Sequence, residues 1–498
     1  SLCMTAPLAM VAFPLSIGMM IIIALLLIAL LLLLVLYAIN KHRHNHYVDI
    51  THLQSIQLDS GSLFSFFQPH LISINEVSQR GYSSMLSLAQ HMIGIQPIAD
   101  SVMILWPPSF DCYNILLPNS LNFPEVILGV PGSVDIKLIS LAMYASSRAN
   151  GCAYCTSHCC TFAVRRGVDP SILRNLLTEV SNNKKSEEDA PTTEDDPTTT
   201  NLSPKESAVI KLAYGLGTVP CSLTAETYNG VTKLFPPSQL EWLVEAASLF
   251  GLLNKLTDGL NIPLETSTYQ ETVDIMDTNY TLGRAAAGMI EGESTAAKAM
   301  RQPPPPTDDW TNIIAIMYHG LRPGSGAMWF ERKMLRGIPT SAGECAVYLQ
   351  ERCGCSFSSV LHWIQHDRFR RAIVYVIGKN FVSDNLSLKL KVQVGLGYCD
   401  NLENAVVEGE LTEVLAFVEK EEGTQYFDKS IKPLILQVGK ALSYAPTRVT
   451  PEIVKSLHSA ENVTPAMIVE LVTFLAVMQT LHRIISFQII QKECHAHV

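Results

Sequence analysis

Apolar side chains recur at intervals of three and four residues along most of this 498-residue chain. The clearest case runs from Gln239 to Leu256 and reads Gln-Leu-Glu-Trp-Leu-Val-Glu-Ala-Ala-Ser-Leu-Phe-Gly-Leu-Leu-Asn-Lys-Leu. A helix places residues with this spacing on one face. No stretch alternates apolar and polar residues in the way that predicts a strand. The sequence therefore predicts an all-α fold.

Prolines interrupt the helical pattern at several places in the first half. Pro107-Pro108 breaks it, and the stretch from Pro118 to Pro131 is predicted to be a loop. The segment 301–309 contains four consecutive prolines and is predicted to be a linker between two domains.

The residues from Asn150 to Gly167 carry the only closely spaced set of reactive side chains that chemistry could use. Asn150-Gly151 predicts a break between two helices, the second of which begins near Cys152 and ends at Gly167. Cys152 and Cys155 then lie in the first turn of that helix, where free backbone N–H groups and the helix dipole favour a thiolate. His158 lies on the same face as Cys155 because three residues separate them.

Three interpretations of this pattern remain open at the level of the residues. The first is a redox-active dithiol formed by Cys152 and Cys155, with His158 beside it. The second is a zinc site that uses these three residues together with Cys159 or Cys160. The third is a set of inert, buried cysteines.

A run of Leu, Ile, Ala and Met without any charge extends from Leu15 to Ile39. It is long enough to cross a bilayer as a helix and too long for a secretory signal, so it predicts a retained membrane anchor within residues 1–46. Lys41 and Arg43 follow the run directly. By the positive-inside rule, they predict a single-pass membrane protein whose larger, C-terminal part is cytoplasmic. His42, His44 and His46 lie among these cations and are interpreted as part of the interfacial flank.

The charge pattern limits the other roles of the chain. A net charge of −10 gives no reason to expect a nucleic-acid partner. Residues 181–205 are mostly polar and acidic, and we expect this insertion to be disordered. It lies inside a predicted first domain, residues 47–300. A second domain is predicted to follow the linker, over residues 310–498.

A weak internal repeat relates the two halves. Ala213 to Pro220 parallels Gly439 to Pro446, and the helix around Glu245 parallels the helix around Glu470. In this alignment Leu396-Gly-Tyr-Cys399 falls opposite Cys152-Ala-Tyr-Cys155. The second copy would then retain one cysteine and could not form the same disulfide, so it is interpreted as a degenerate structural copy.

The pattern Asn-Gly-Cys-x-Tyr-Cys-x-x-His, followed by Gly167-Val168, resembles the carboxymuconolactone decarboxylase and alkyl hydroperoxidase D superfamily. The stretch from Glu206 through Asn254 to Pro263-Leu-Glu265 is similar to the downstream helices of that family. The resemblance implies two alkyl hydroperoxidase D-like helical domains in tandem after the N-terminal transmembrane helix. It also implies association into homo-oligomers.

By this resemblance, Cys155 is the thiolate that attacks a peroxide, Cys152 resolves the sulfenic acid as a disulfide, and His158 is the base that keeps Cys155 deprotonated. The resemblance implies no metal or cofactor. An external dithiol reductant, thioredoxin-like or lipoyl-like, would reduce the disulfide.

Two positions depart from one branch of the family. Ser140 stands where that branch has a proton-relay glutamate, and Cys159 stands where it has a histidine. Asp135 or Glu245 could substitute as the relay. The expected function is a membrane-anchored thiol-dependent peroxidase or disulfide reductase that reduces peroxides. The alternative is a weak or inactive helical scaffold subunit of a membrane complex.

Overall fold

The computed structural model describes residues 24–37, 61–176, 202–276, 303–322, 327–421 and 430–496. Within these ranges the chain is helical and contains no strand. The all-α prediction is therefore confirmed for the described part of the protein. Residues 181–201 of the predicted acidic insertion lie outside the described ranges, as do residues 1–23, 38–60 and 177–180.

The first half supplies the helices that surround the cysteines, together with one-turn helices at Phe64–Phe67, Ile74–Val77 and Glu125–Leu128. The longer helices are α1 (Ala24–Tyr37), α2 (Ser83–Ile93), α3 (Ile98–Met103), α4 (Pro107–Ser120), α5 (Ile136–Asn150), α6 (Ala153–Arg165), α7 (Pro204–Gly217), α8 (Ala225–Thr232), α9 (Pro237–Gly259) and α10 (Thr266–Thr272).

The second half is helical in the same manner and packs against the first. Its helices are α11 (Trp310–Leu321), α12 (Ala327–Met334), α13 (Ala342–Cys353), α14 (Ser358–Trp363), α15 (Asp367–Asn380), α16 (Leu388–Leu402), α17 (Ala405–Glu421), α18 (Lys432–Leu442), α19 (Pro451–Ser459) and α20 (Pro465–Ala496).

The predicted loop between Pro118 and Pro131 is wrong in part. Helix α4 begins at Pro107 and contains Pro118, and Glu125–Leu128 forms a further turn. Proline is well tolerated in the first turn of a helix, where its missing N–H has no partner to lose. Pro107-Pro108 therefore starts a helix where we expected an interruption.

The centre of the molecule is the contact between α9 and α20, one helix from each half. Gly251 allows this contact, because a Cβ atom at that position would lie only 2.9 Å from the backbone nitrogen of Thr480. Across this contact, Arg483 of α20 donates to the carbonyl oxygen of Ala247 on α9 at 2.7 Å. Lys255 of α9 donates to the carbonyl oxygens of Leu442 and Tyr444, at the end of α18 and just after it, at 2.8 Å each.

The two halves share one hydrophobic core. Helix α4 packs on α15, and α11 packs on α2, so elements from either side of the predicted linker are in contact. The linker itself lies on α6, where the Asp308 backbone N–H donates to the carbonyl oxygen of Arg165 and the Asp308 carboxylate pairs with Arg166.

The residue-level alignment of the repeat is wrong at the cysteines. Cys152 caps the start of α6, whereas Cys399 lies in the last turn of α16. The helix caps give a better alignment of the two halves. Helices α5 and α16 each begin after an N-cap residue and end at a residue with left-handed backbone. Each is followed by another helix with an N-cap residue. The matched pairs are Asp135 and Ser387, Gly151 and Glu403, and Cys152 and Asn404.

The same number of residues separates Asp135 from Cys152 and Ser387 from Asn404. In this register Val407 and Glu410 occupy the places of Cys155 and His158. The second half therefore has no thiol at either cysteine position, and the duplication into two domains stays a prediction.

The anchor prediction falls partly outside the described residues. Within Leu15 to Ile39, residues 24–37 form α1, whose leucines are exposed. Of the helices in the described ranges, α20 is the one long and apolar enough to cross a membrane. It is enclosed by the rest of the protein, as expected for the core helix of a globular fold.

Candidate functional site

The turn between α5 and α6 places the two site cysteines. Gly151 ends α5 with a φ of +79°, a backbone conformation that glycine adopts without steric cost. Cys152 then caps α6, and its Sγ accepts a hydrogen bond from the backbone N–H of Cys155 at 3.4 Å. The predicted helix boundaries at Cys152 and Gly167 are therefore confirmed to within two residues.

The thiols of Cys152 and Cys155 share one hydroxyl group. Thr257 Oγ1, in the last part of α9, lies 3.2 Å from each sulfur atom and also donates to the Leu253 carbonyl oxygen at 2.9 Å. Both cysteines are reduced and buried. The two sulfurs therefore lie together around a single polar atom, as a dithiol that forms a disulfide requires.

His158 pairs with a carboxylate that we did not predict. Its Nε2 lies 2.9 Å from Glu265 Oε2, and only 11% of the His158 side chain is exposed. Glu265 Oε1 accepts hydrogen bonds from the Ile98 backbone N–H at 2.7 Å and from the Tyr154 hydroxyl at 2.8 Å. The second ring nitrogen of His158, Nδ1, is buried and has no hydrogen-bond partner among the described residues.

The environment sets opposite pKa shifts for two groups of this site. Burial raises the pKa of Cys155 well above its ordinary value, and the neighbouring Cys152 raises it further. Burial alone would raise the pKa of Glu265 as well, but His158, the Ile98 N–H and the Tyr154 hydroxyl together lower it. The resting state therefore holds a carboxylate at Glu265 and a thiol at Cys155.

A cavity of about 740 Å³, including its opening to solvent, lies beside Cys155 and His158. Cys155, His158 and Thr257 lie in its wall, which is otherwise almost entirely apolar. The remaining lining comes from α2, α3, α4, α5, α6 and α9 and includes Ala89, Met92, Met103, Leu117, Leu121, Met143, Phe162, Phe250 and Leu253. An apolar cavity with a few polar groups at one end is typical of a small-molecule site.

Asp100 is a carboxyl group in the cavity wall, in addition to Glu265 beside His158. It is 1% exposed, and neither of its side-chain oxygens has a hydrogen-bond partner among the described residues. Burial, and then the charge of Glu265, raise the pKa of Asp100 well above its ordinary value. The folded protein therefore favours the protonated form of this carboxyl group.

The structure brings Cys152, Cys155 and His158 together, as the sequence predicts. It does not bring the suggested relay residues to them. Asp135 caps α5 and accepts from the Lys137 N–H, and the Ser140 hydroxyl donates to the Ile136 carbonyl. Glu245 lies 3.0 Å from His366, in a separate cluster.

The carboxylate beside His158 is instead Glu265, the residue that precedes α10. The sequence signal was present, since Glu265 ends the Pro263-Leu-Glu265 stretch on which the family resemblance partly rests. Tyr154 is part of the quoted cysteine pattern, although no role was predicted for it, and Thr257 and Asp100 gave no signal of their own.

The zinc interpretation of the cysteine stretch is not supported by the geometry. Cys159 Sγ lies 3.7 Å from the Ser147 hydroxyl, and Cys160 is fully buried. Within the described ranges, the one group of three potential ligands at metal-binding distances is Glu241, Glu245 and His366. It contains no cysteine.

Comparison with known proteins does not assign the chain to a family. No protein-family model matches the sequence, and no curated protein matches it at a significant level. The site must therefore be interpreted from its own geometry.

Proposed function

We propose that this protein is a thiol-dependent peroxidase or disulfide reductase of the alkyl hydroperoxidase D type, anchored in a membrane by the segment around Leu15 to Ile39. One observation carries the proposal. A dithiol, a buried histidine–carboxylate pair and an apolar cavity meet at Cys155, His158 and Glu265. The membrane location rests on the apolar sequence and the exposed leucines of α1.

The first step is the reduction of a peroxide. Cys155 loses its proton, and the sulfur attacks one peroxide oxygen so that the S–O bond forms as the O–O bond breaks. The products are a sulfenic acid on Cys155 and an alkoxide, which takes up a proton to leave as the alcohol. His158 is suited to move this proton, because Nδ1 is free and Glu265 holds the opposite side of the ring.

The resting geometry favours delivery of the proton through the substrate. Cys155 and His158 line the same cavity, but they do not form a hydrogen bond with each other, since His158 binds Glu265 and Cys155 binds Thr257. A peroxide bound between them can receive the sulfur at one oxygen and a proton at the other. In this proposal His158 acts on a proton of the substrate, whereas the family resemblance implies a base that keeps Cys155 deprotonated.

The second step forms a disulfide. Cys152 sulfur attacks the sulfenic acid of Cys155, and the hydroxyl group leaves as water after it takes up a proton. An external dithiol then reduces the disulfide by two thiol exchanges. Because both cysteines are buried, the slender arm of a lipoyl-like dithiol suits the cavity better than the broad surface of a thioredoxin-like protein.

The apolar wall indicates the class of peroxide. Hydrogen peroxide gains nothing from the burial of apolar surface, whereas an organic hydroperoxide with an alkyl or aryl body does, by about 25 cal/mol per Å². The site is therefore suited to organic hydroperoxides. The test compares the second-order rate of thiol loss with cumene hydroperoxide and with hydrogen peroxide, and equal or faster reaction with hydrogen peroxide contradicts this choice.

The alternative function is a helical scaffold with an inactive site. The raised pKa of Cys155, caused mainly by burial, is the observation that favours it, because a protonated thiol is a poor nucleophile. Measurement of the Cys155 alkylation rate against pH separates the two. A site that reacts at pH 7 supports the enzyme, and one that reacts only above pH 10 supports the scaffold.

A further inference from the structure

A second cluster of titratable groups lies where the two halves meet, away from the cysteines. Glu241 and Glu245 are one turn apart on α9, so they project from the same face. His366 caps the start of α15 and comes from the second half of the chain. One ligand atom from each of the three residues lies within 4.8 Å of the other two.

The cluster contains a polar group that the protein leaves unsatisfied. Glu245 is fully buried, and its Oε2 has no hydrogen-bond partner among the described residues. Its other oxygen, Oε1, lies 3.0 Å from His366 Nδ1. Two carboxylates in one buried place repel each other unless a proton or a cation lies between them. Burial and the proximity of Glu241 accordingly raise the pKa of Glu245.

The surrounding contacts hold the three groups in place. Glu241 Oε1 accepts hydrogen bonds from the backbone N–H groups of Gln365 and His366, at 2.6 and 2.9 Å. The Trp242 ring stacks on the His366 imidazole, with 3.7 Å between ring centroids and 13° between ring planes. Groups oriented in this way by neighbouring contacts are typical of ligands in metal sites.

His366 is the more exposed of the two groups in the closest contact of the cluster. Its side chain is 17% exposed, compared with 0% for Glu245. Of these two side chains, the imidazole is therefore the one that solvent reaches.

We propose that Glu241, Glu245 and His366 form a binding site for a divalent cation, zinc in the first instance, that joins the two halves of the protein. Two carboxylate oxygens and one imidazole nitrogen, completed by water, are ligands that zinc accepts. The imidazole disfavours magnesium and calcium, which prefer oxygen alone. The charge of the cation would cancel the two carboxylates and satisfy the free oxygen of Glu245.

The test uses the full chain in detergent, with Cys152 and Cys155 replaced by serine so that thiols at the first site do not bind the metal. After treatment with a chelator, zinc is added, and the bound metal and the melting temperature are measured. We expect about one equivalent of zinc above the level bound by Glu245→Gln or His366→Gln, together with a rise in melting temperature that these variants lack.

Two exposed residues serve as matched controls, His362, four residues before His366, and Glu226 on α8. His362→Gln and Glu226→Gln remove an exposed imidazole and an exposed carboxylate, and both should bind zinc as the parent does. Glu245→Gln removes a buried charge and should fold without metal, so loss of zinc there reports the site. Cobalt in place of zinc should give visible absorption without a thiolate charge-transfer band.

Two results would overturn the proposal. One is equal zinc binding by the parent, Glu245→Gln and His366→Gln at micromolar zinc, which would place the metal elsewhere. The other is the absence of bound zinc in the parent, which would mean that a proton shared by Glu241 and Glu245 satisfies the cluster.

Discussion

The Nε2 atom of His158 lies 2.9 Å from Glu265 Oε2, although 107 residues separate the two along the chain. The carboxylate also accepts hydrogen bonds from Ile98 and Tyr154, so α6 and the first residue of α3 converge on the residue that precedes α10. A histidine held on one side in this way presents its other nitrogen in a defined direction. The contact therefore connects the fold to the chemistry proposed for Cys155.

Replacement of Glu265 by glutamine should slow oxidation of Cys155 by an organic hydroperoxide by about 10²-fold. The amide keeps the shape but cannot hold a positively charged imidazole. Stopped-flow measurement of thiol loss at pH 7 checks this, with Glu226→Gln as a surface control that should react as wild type does. An unchanged rate in Glu265→Gln, in a folded protein, would remove the pair from the mechanism.

Replacement of Thr257 by valine should raise the pKa of Cys155 further, because the Thr257 hydroxyl lowers it in the wild type. The loss of one hydrogen bond corresponds to about 3- to 10-fold in thiolate population. The rate of iodoacetamide alkylation against pH measures the shift. Thr272→Val is the matched control, since Thr272 is also buried and its hydroxyl donates to the Thr268 carbonyl oxygen. Equal profiles for the two variants would contradict the role of Thr257.

Asp100→Asn should increase stability, and the increase should depend on pH. The folded pKa of Asp100 is raised, so the folded carboxyl keeps a proton that the unfolded chain releases above the ordinary value of 3.8. Wild-type stability therefore falls as pH rises from about 4 towards the raised pKa, by up to about 1.4 kcal/mol per pH unit. Asparagine removes that loss.

Urea unfolding at pH 5 and pH 7 checks the Asp100 prediction, with Asp400→Asn as an exposed control. The difference in unfolding free energy between Asp100→Asn and wild type should widen at the higher pH and stay constant for Asp400→Asn. A difference that stays constant or narrows as pH rises would contradict the raised pKa of Asp100.

Ala89→Leu should narrow the cavity from α2. We expect the rate with cumene hydroperoxide to fall about tenfold while the rate with hydrogen peroxide changes less than twofold, because the small peroxide does not need the apolar space. Ala346→Leu, at a similarly buried position in the second half, controls for a general effect of added volume. Equal losses for both peroxides would indicate damage to the site instead of a change in selectivity.

Much of the local structure around the thiols could be predicted from sequence. Gly151 and Gly167 marked the ends of α5 and α6, and both have the left-handed backbone that such positions require. Cys152, Cys155 and His158 are neighbours in sequence, so one helix start is enough to bring them together. Local rules succeed here because the relevant contacts are local.

The remainder of the site depends on contacts that no local rule contains. Thr257 approaches the cysteines, and Glu265 approaches His158, only after α9 and α10 pack on α6, which is a property of the tertiary fold. The residues next to Asp100 in the sequence do not indicate that its side chain is buried. The alignment of Cys399 with Cys155 failed for a related reason, because a short sequence similarity does not show where each helix begins.

The measurement that tests the central claim most directly is a count of free thiols by mass spectrometry, before and after one equivalent of cumene hydroperoxide. The account predicts the loss of two thiols, a Cys152–Cys155 disulfide in the digest, and neither change in Cys155→Ser. Full retention of free thiols at Cys152 and Cys155 after exposure to the peroxide would contradict the peroxidase and favour the scaffold.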